Sequence, residues 1–215
     1  MTNPIRRQIS LGFTEERFPE GQHICYIFRD DEERQRTMSK YLASGLQSHE
    51  KVLYLVDTMS TNEFLDCMAE LGLDVQAHTN DFIVKEALPV YCPNGTFSCP
   101  DMLEVVGTFY GQSLQEGYAG SRGTGEMSWA LSAGCVRKAD LMEYEARLTQ
   151  VLQEYPYTAC CQYDARRFDG ETIMDVLHVH PLMIVRGQVV KNPFYQPPDE
   201  FLKAYRRREG ESING

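Results

Sequence analysis

The strongest constraint on this chain is an alternation of short apolar runs with amphipathic helical runs through most of its 215 residues. Residues 23–28, 51–56, 82–87, 123–131 and 158–163 read as strands. Between them, Met38, Tyr41, Leu42 and Leu46 recur at helical spacing, as do Phe64, Leu65, Met68 and Leu71. Met102, Val105, Val106, Phe109 and Leu114 mark a third helix, and Leu141, Tyr144, Leu148, Val151 and Leu152 a fourth. Asp169 caps a short helix that stops at His180-Pro181, because the residue before a proline avoids the helical region. Residues 182–190 read as a final strand with a turn at Gly187, and Pro197-Pro198 opens a last helix. Such alternation predicts a three-layer α/β fold around a mostly parallel sheet. The run 51–56 is nearly all apolar, as expected of a strand buried on both faces. We divide the chain into a polar, irregular extension (1–21), one domain (22–204) and a C-terminal tail or linker (205–215).

A hydrophobic content of 42% and a charged content of 24% fit one globular domain. No apolar run approaches the length of a membrane span, and the two arginines near Met1 have no apolar stretch behind them. A cytoplasmic location is expected. The net charge of −10 disfavours direct nucleic-acid binding. The basic cluster Lys203, Arg206, Arg207 and Arg208 reads as a solvated last helix or a linker. Seven cysteines without a framework spacing fit a reducing compartment. Cys92 and Cys99 bracket a turn-rich stretch, either as free thiols in a mobile loop or as a redox-sensitive bridge.

The order of elements is that of RecA-like NTPases, which carry a glycine-rich phosphate loop after the first strand. Here that position reads Phe28-Arg29-Asp30-Asp31-Glu32-Glu33-Arg34, with no glycine and four acidic residues. It would repel a triphosphate, so the Walker A loop is absent and no enzymatic activity is expected. Gly123 and Gly125 precede a strand end and do not replace it.

Ligands of open parallel sheets sit beyond the carboxyl ends of the strands. Those ends offer Cys25, Tyr26 and Arg29; then Glu126, Met127 and Trp129; then Cys161, Tyr163 and Asp164. Together they predict an aromatic, sulfur-rich pocket for a small, mostly apolar ligand with one polar handle. Each has a structural alternative: core packing for Tyr26 and Trp129, a partner such as Arg29 for Glu126, and Arg166 or Arg167 for Asp164. His23 and Cys25 share a strand face, Cys160 and Cys161 point oppositely, and His178 and His180 end a helix nearby. This Cys/His set makes a metal- or redox-dependent sensor the alternative reading, although no C-x-x-C or H-E-x-x-H spacing is present. No metal or cofactor is assigned. A third reading is an interaction domain of a dimeric regulator, without a ligand.

Several segments together resemble a known family. They are Gly21-Gln22-His23-Ile24-Cys25-Tyr26, Gly125-Glu126-Met127-Ser128-Trp129, Cys161-Gln162-Tyr163-Asp164 with Arg167-Phe168, His180-Pro181, and Asn192-Pro193-Phe194-Tyr195 with Pro198-Asp199-Glu200-Phe201-Leu202. The set is similar to the MEDS domain (methanogen/methylotroph, DcmR sensory domain) from about His23 to Leu202. The resemblance implies a RecA/KaiC-like fold without the phosphate loop and a sensory role in signal transduction. It also implies a simple one-carbon or hydrocarbon-type ligand and an output partner such as a histidine kinase or a helix-turn-helix regulator. No attached output domain is evident, so the chain reads as a stand-alone sensor, alone or as a homodimer, or as a portion of a longer protein.

Overall fold

A computed structural model describes residues 6–210. A seven-stranded sheet forms the middle layer. Its strands are β3 (His23–Phe28), β4 (Glu50–Val56), β5 (Phe82–Glu86), β6 (Gly120–Glu126), β7 (Thr158–Asp164), β8 (Leu182–Val185) and β9 (Gln188–Lys191). Their order is β5-β4-β6-β7-β3-β8-β9, parallel except for β9. The central strands β4, β6 and β7 are buried along their whole length, as crossover helices on both faces require.

One face is covered by α1 (Asp31–Gln47) and α2 (Thr61–Glu70). The other carries α3 (Ala87–Tyr91), α4 (Cys99–Gln115), α5 (Lys138–Glu154), α6 (Gly170–Val179) and α7 (Pro198–Arg208). The helix starts follow local chemistry. Asp30 accepts a hydrogen bond from the Glu33 N–H at 2.8 Å, and Ser60 with Glu63 forms a capping box. Asp169 caps α6 through the Thr172 N–H. Among the described residues no helix is long and apolar enough to cross a membrane.

Five expectations need correction. The described part of 1–21 is not irregular: β1 (Gln8–Ser10) and β2 (Arg17–Pro19) form a hairpin that buries Ile9, Leu11 and Phe18 against the α1 face. The stretch 182–190 is a β8–β9 hairpin, whose two turn residues Arg186 and Gly187 both have positive φ. The strand expected to reach residue 131 ends at Glu126, and 127–131 is a 3₁₀ turn. The connection after β5 opens with α3, and Cys92 is bonded to Cys135, not to Cys99, which starts α4 as a free thiol. Finally, α7 runs on to Arg208 with Tyr205 buried, so the packed domain extends beyond residue 204.

Candidate ligand site

The chain passes from β3 into α1 through two residues, Arg29 and Asp30. No loop of backbone N–H groups is left there to cradle a phosphate. The crevice at the strand ends is instead filled from within. Arg34, on the buried face of α1, donates to Glu126 Oε1 at 2.5 Å, to the Tyr54 hydroxyl at 3.1 Å and to Gln162 Oε1 at 3.3 Å. Glu126 Oε2 accepts from the backbone N–H groups of Asp57 (2.8 Å) and Thr58 (2.7 Å). Burial alone would raise the Glu126 carboxyl, but the Arg34 charge and these hydrogen bonds outweigh it and hold the group below the usual carboxylate range. Arg34, not Arg29, is therefore the partner of Glu126.

The single pocket expected at the strand ends does not form, because strand alternation sends its residues to opposite faces. Tyr26 joins the core under α1, and Glu126 meets Arg34 there. Cys25, Met127, Trp129, Cys161 and Tyr163 belong to the core under α5. Trp129 is fully buried and stacks on Tyr91 at 4.3 Å. Asp164 pairs with Arg166, whose hydrogen bonds hold the carboxyl below its ordinary value. Arg29 is exposed, and with Tyr26 and Phe28 it lines an open groove of about 420 Å³ beside β8.

A second space lies between the sheet and α4–α5 and is partly open to solvent at Val105. It is a cavity of about 30 Å³ lined by Leu53, Leu55, Met102, Val106, Gly125 and Cys161, among others, and most of its wall is apolar. That volume exceeds the roughly 10–15 Å³ that one water needs and falls far short of the several hundred Å³ typical of drug-sized ligands. Gly123 and Gly125 make this packing feasible. A Cβ on Gly123 would lie 1.6 Å from the Tyr157 hydroxyl, and one on Gly125 would lie 2.6 Å from that of Tyr91. Gly123→Ala is expected to destabilise the protein by about 1–3 kcal/mol through overpacking. Tyr157→Leu in the same chain should recover part of the loss, and urea denaturation of the wild type and both variants checks this.

Beside the cavity, four polar residues converge. His23 from β3, Glu145 from α5, Cys161 from β7 and His180 at the end of α6 each place one donor atom within 4.8 Å of the others, and all four are buried. His23 Nε2 is 3.2 Å from Glu145 Oε2, His180 Nε2 is 3.4 Å from the same atom, and Cys161 Sγ is 3.5 Å from both His23 Nε2 and Glu145 Oε2. The Tyr163 hydroxyl donates to Glu145 Oε1 at 2.5 Å. Burial and the neighbouring His180 lower the pKa of His23 to about 4, against the opposing pull of Glu145. Burial and the Glu145 charge push the Cys161 thiol well up. Of the residues singled out from sequence, His23, Cys161, Tyr163 and His180 meet here. Glu145 was missed, although it sits between Leu141 and Leu148 on the apolar stripe of α5, where a carboxylate needs a partner.

Comparison with known proteins bears on this arrangement. Residues 22–181 match the family model of the MEthanogen/methylotroph, DcmR Sensory domain. The chain belongs to the MEDS family. This MEDS domain is 24% identical over 159 residues to the transcriptional repressor DcmR of Methylorubrum extorquens (strain DSM 6343 / CIP 106787 / DM4). That match covers 74% of the chain, and the chain spans 57% of the relative's length. The fold is similar to the flagellar accessory protein FlaH from Methanocaldococcus jannaschii, with a TM-score of 0.59 and 13% identity over 89% of this chain and 92% of that one. It is also similar to the KaiC-like protein PH0186 from Pyrococcus horikoshii OT3, with a TM-score of 0.61 and 14% identity over 83% and 79%. These likenesses place the MEDS domain in the RecA/KaiC-like fold, and the family and its relative point to a sensory or regulatory role.

Proposed function

We propose that this MEDS domain is a sensory module that binds a small apolar or one-carbon-type molecule in the cavity between the sheet and α4–α5, and that it does not turn over nucleotide. The observation that carries the reading is the cavity itself: apolar, glycine-floored and larger than the space one water needs. The strand-end crevice argues against a phosphate ligand, since Arg34 is already neutralised by Glu126. Occupancy would be read out through α4, which supplies Met102, Val105 and Val106 to the cavity wall while Leu114 on the same helix remains 44% exposed. A ligand that fits better when α4 moves outward shifts the population toward that state. By analogy with the repressor relative, the output is a transcriptional regulator, either a partner chain or a domain beyond this sequence.

Thermal unfolding in the presence of small alcohols, methylamines, methylthiols and halomethanes tests the reading. A binder present at a hundred times its dissociation constant should stabilise the protein by about 2.7 kcal/mol. Ala159→Leu, which fills the cavity from β7, should abolish the effect. Equal stabilisation of both proteins, or of neither by any compound, would count against the cavity as the sensing site.

A further inference from the structure

We propose that His23, Glu145, Cys161 and His180 form a binding site for one divalent transition-metal ion, with zinc the best fit. The first argument is how hydrogen bonds place the two rings. The His23 Nδ1 atom lies 2.8 Å from the Thr149 hydroxyl, which also donates to the Val179 carbonyl at 3.2 Å. His180 Nδ1 is 2.8 Å from the Val176 carbonyl, which can only accept. With Nδ1 held by an outer partner on both rings, both Nε2 atoms face the centre of the cluster. Facing them are Glu145 Oε2 and Cys161 Sγ. His180 Nε2 has no hydrogen-bond partner although it is completely buried. A buried carboxylate beside a partnerless ring nitrogen is matched by a cation.

The second argument is geometric. A tetrahedral zinc with ordinary bond lengths of about 2.0–2.1 Å to nitrogen and oxygen and about 2.3 Å to sulfur separates N from O by about 3.3 Å and S from either by about 3.5 Å. Four of the six separations here are 3.2 and 3.4 Å for N to O and 3.5 Å from sulfur to His23 and to Glu145, and the remaining two, which involve His180, lie within 4.8 Å. The third argument is the surrounding shell. Metal-bound histidines characteristically donate their other N–H to a fixed acceptor, and bound carboxylates are themselves held by hydrogen bonds. Thr149, the Val176 carbonyl and the Tyr163 hydroxyl supply these contacts, leaving the four donor atoms facing one another.

On binding, the Cys161 S–H bond breaks, a sulfur–metal bond forms and the proton leaves to the buffer. The divalent charge is then balanced by the thiolate and the Glu145 carboxylate, which suits a buried site. Four protein donors saturate a tetrahedral ion, as in closed, structural sites. The ion would fasten β3, β7, α5 and the end of α6 together. Cys161 also lines the neighbouring cavity, so the same ion would stiffen the cavity wall. This inference stands independently of the ligand reading: metal content can be measured with no ligand present, and the thermal panel can fail while the metal remains.

The test is elemental analysis of the full chain purified without added metal, followed by exchange with cobalt(II). One equivalent of metal per chain is expected. The cobalt form should show a thiolate-to-cobalt charge-transfer band and the intense visible bands of a tetrahedral centre. Cys161→Ser should remove the charge-transfer band, and His180→Gln should at least weaken cobalt binding tenfold. Cys160→Ser, on the opposite face of the sheet, should leave both unchanged. Should a variant fail to fold, the wild-type stoichiometry and spectrum still decide. Wild-type protein that takes up no cobalt, or cobalt spectra that survive Cys161→Ser intact, would overturn the proposal.

Discussion

Arg34→Met should destabilise the protein by about 3–5 kcal/mol at neutral pH, because it leaves the Glu126 carboxylate buried without its counter-ion. Both residues are 2% exposed at the side chain, and Arg34 also binds Tyr54 and Gln162 and lies over the Phe28 ring at 4.9 Å. The pH dependence has a definite sign. In the wild type the folded Glu126 carboxyl lies below its ordinary value, so its stabilising contribution is full above about pH 4.3 and is lost as the pH falls through the folded value. Without Arg34, burial dominates and raises that carboxyl. The variant then regains stability as Glu126 protonates, and its deficit against wild type narrows on going from pH 7 toward pH 5. Arg34→Met combined with Glu126→Gln should recover most of the loss, since the amide oxygen still accepts from the N–H groups of Asp57 and Thr58. Urea denaturation at several pH values reads all of this. A single-variant cost below about 1 kcal/mol would mean that the ion pair does not fill the strand-end crevice.

The second large effect is expected from reduction of the Cys92–Cys135 bond. It closes a sequence separation of 43 residues and joins the end of α3 to the segment before α5. Cross-links of this span stabilise small proteins by about 2–4 kcal/mol. A melting temperature lower by roughly 5–15 °C should follow in reductant. Cys92→Ser should show the lower value with or without reductant, whereas Cys99→Ser should keep the response. Thiol titration of the denatured, unreduced chain should find the five free cysteines Cys25, Cys67, Cys99, Cys160 and Cys161. Tyr91 lines the cavity next to Cys92, so reduction should also weaken any ligand stabilisation.

The layers of the fold were legible because each strand and helix carries its own period. The apolar run of β4, the helical spacing on α1 and α5, and the Asp169 cap are local signals, and each element lies where they put it. Elements held by distant contacts were not legible. The β1–β2 hairpin reads as polar loop until its Ile9, Leu11 and Phe18 meet the core under α1. The partner of Cys92 depends on where residue 135 lies in space, which spacing alone does not give. The site was half legible. Alternation placed Cys160 and Cys161 on opposite faces, yet the same rule separates Tyr26 from Tyr163 and Glu126 from Cys161, so one pocket could not hold them all. Two overlooked residues left a trace in the pattern: Arg34 stands four before Met38, and Glu145 four after Leu141, each a charge on an apolar helical stripe.

The most direct test of the central claim is methyl NMR of the full chain titrated with the compound that most raises its melting temperature. Shifts are expected at Leu53, Leu55, Met102, Val105, Val106 and Leu148, which line the cavity between the sheet and α4–α5. Shifts confined to Ile27, Leu177, Met183, Ile184 and Val185 would place the ligand in the open groove beside β8 and contradict that claim.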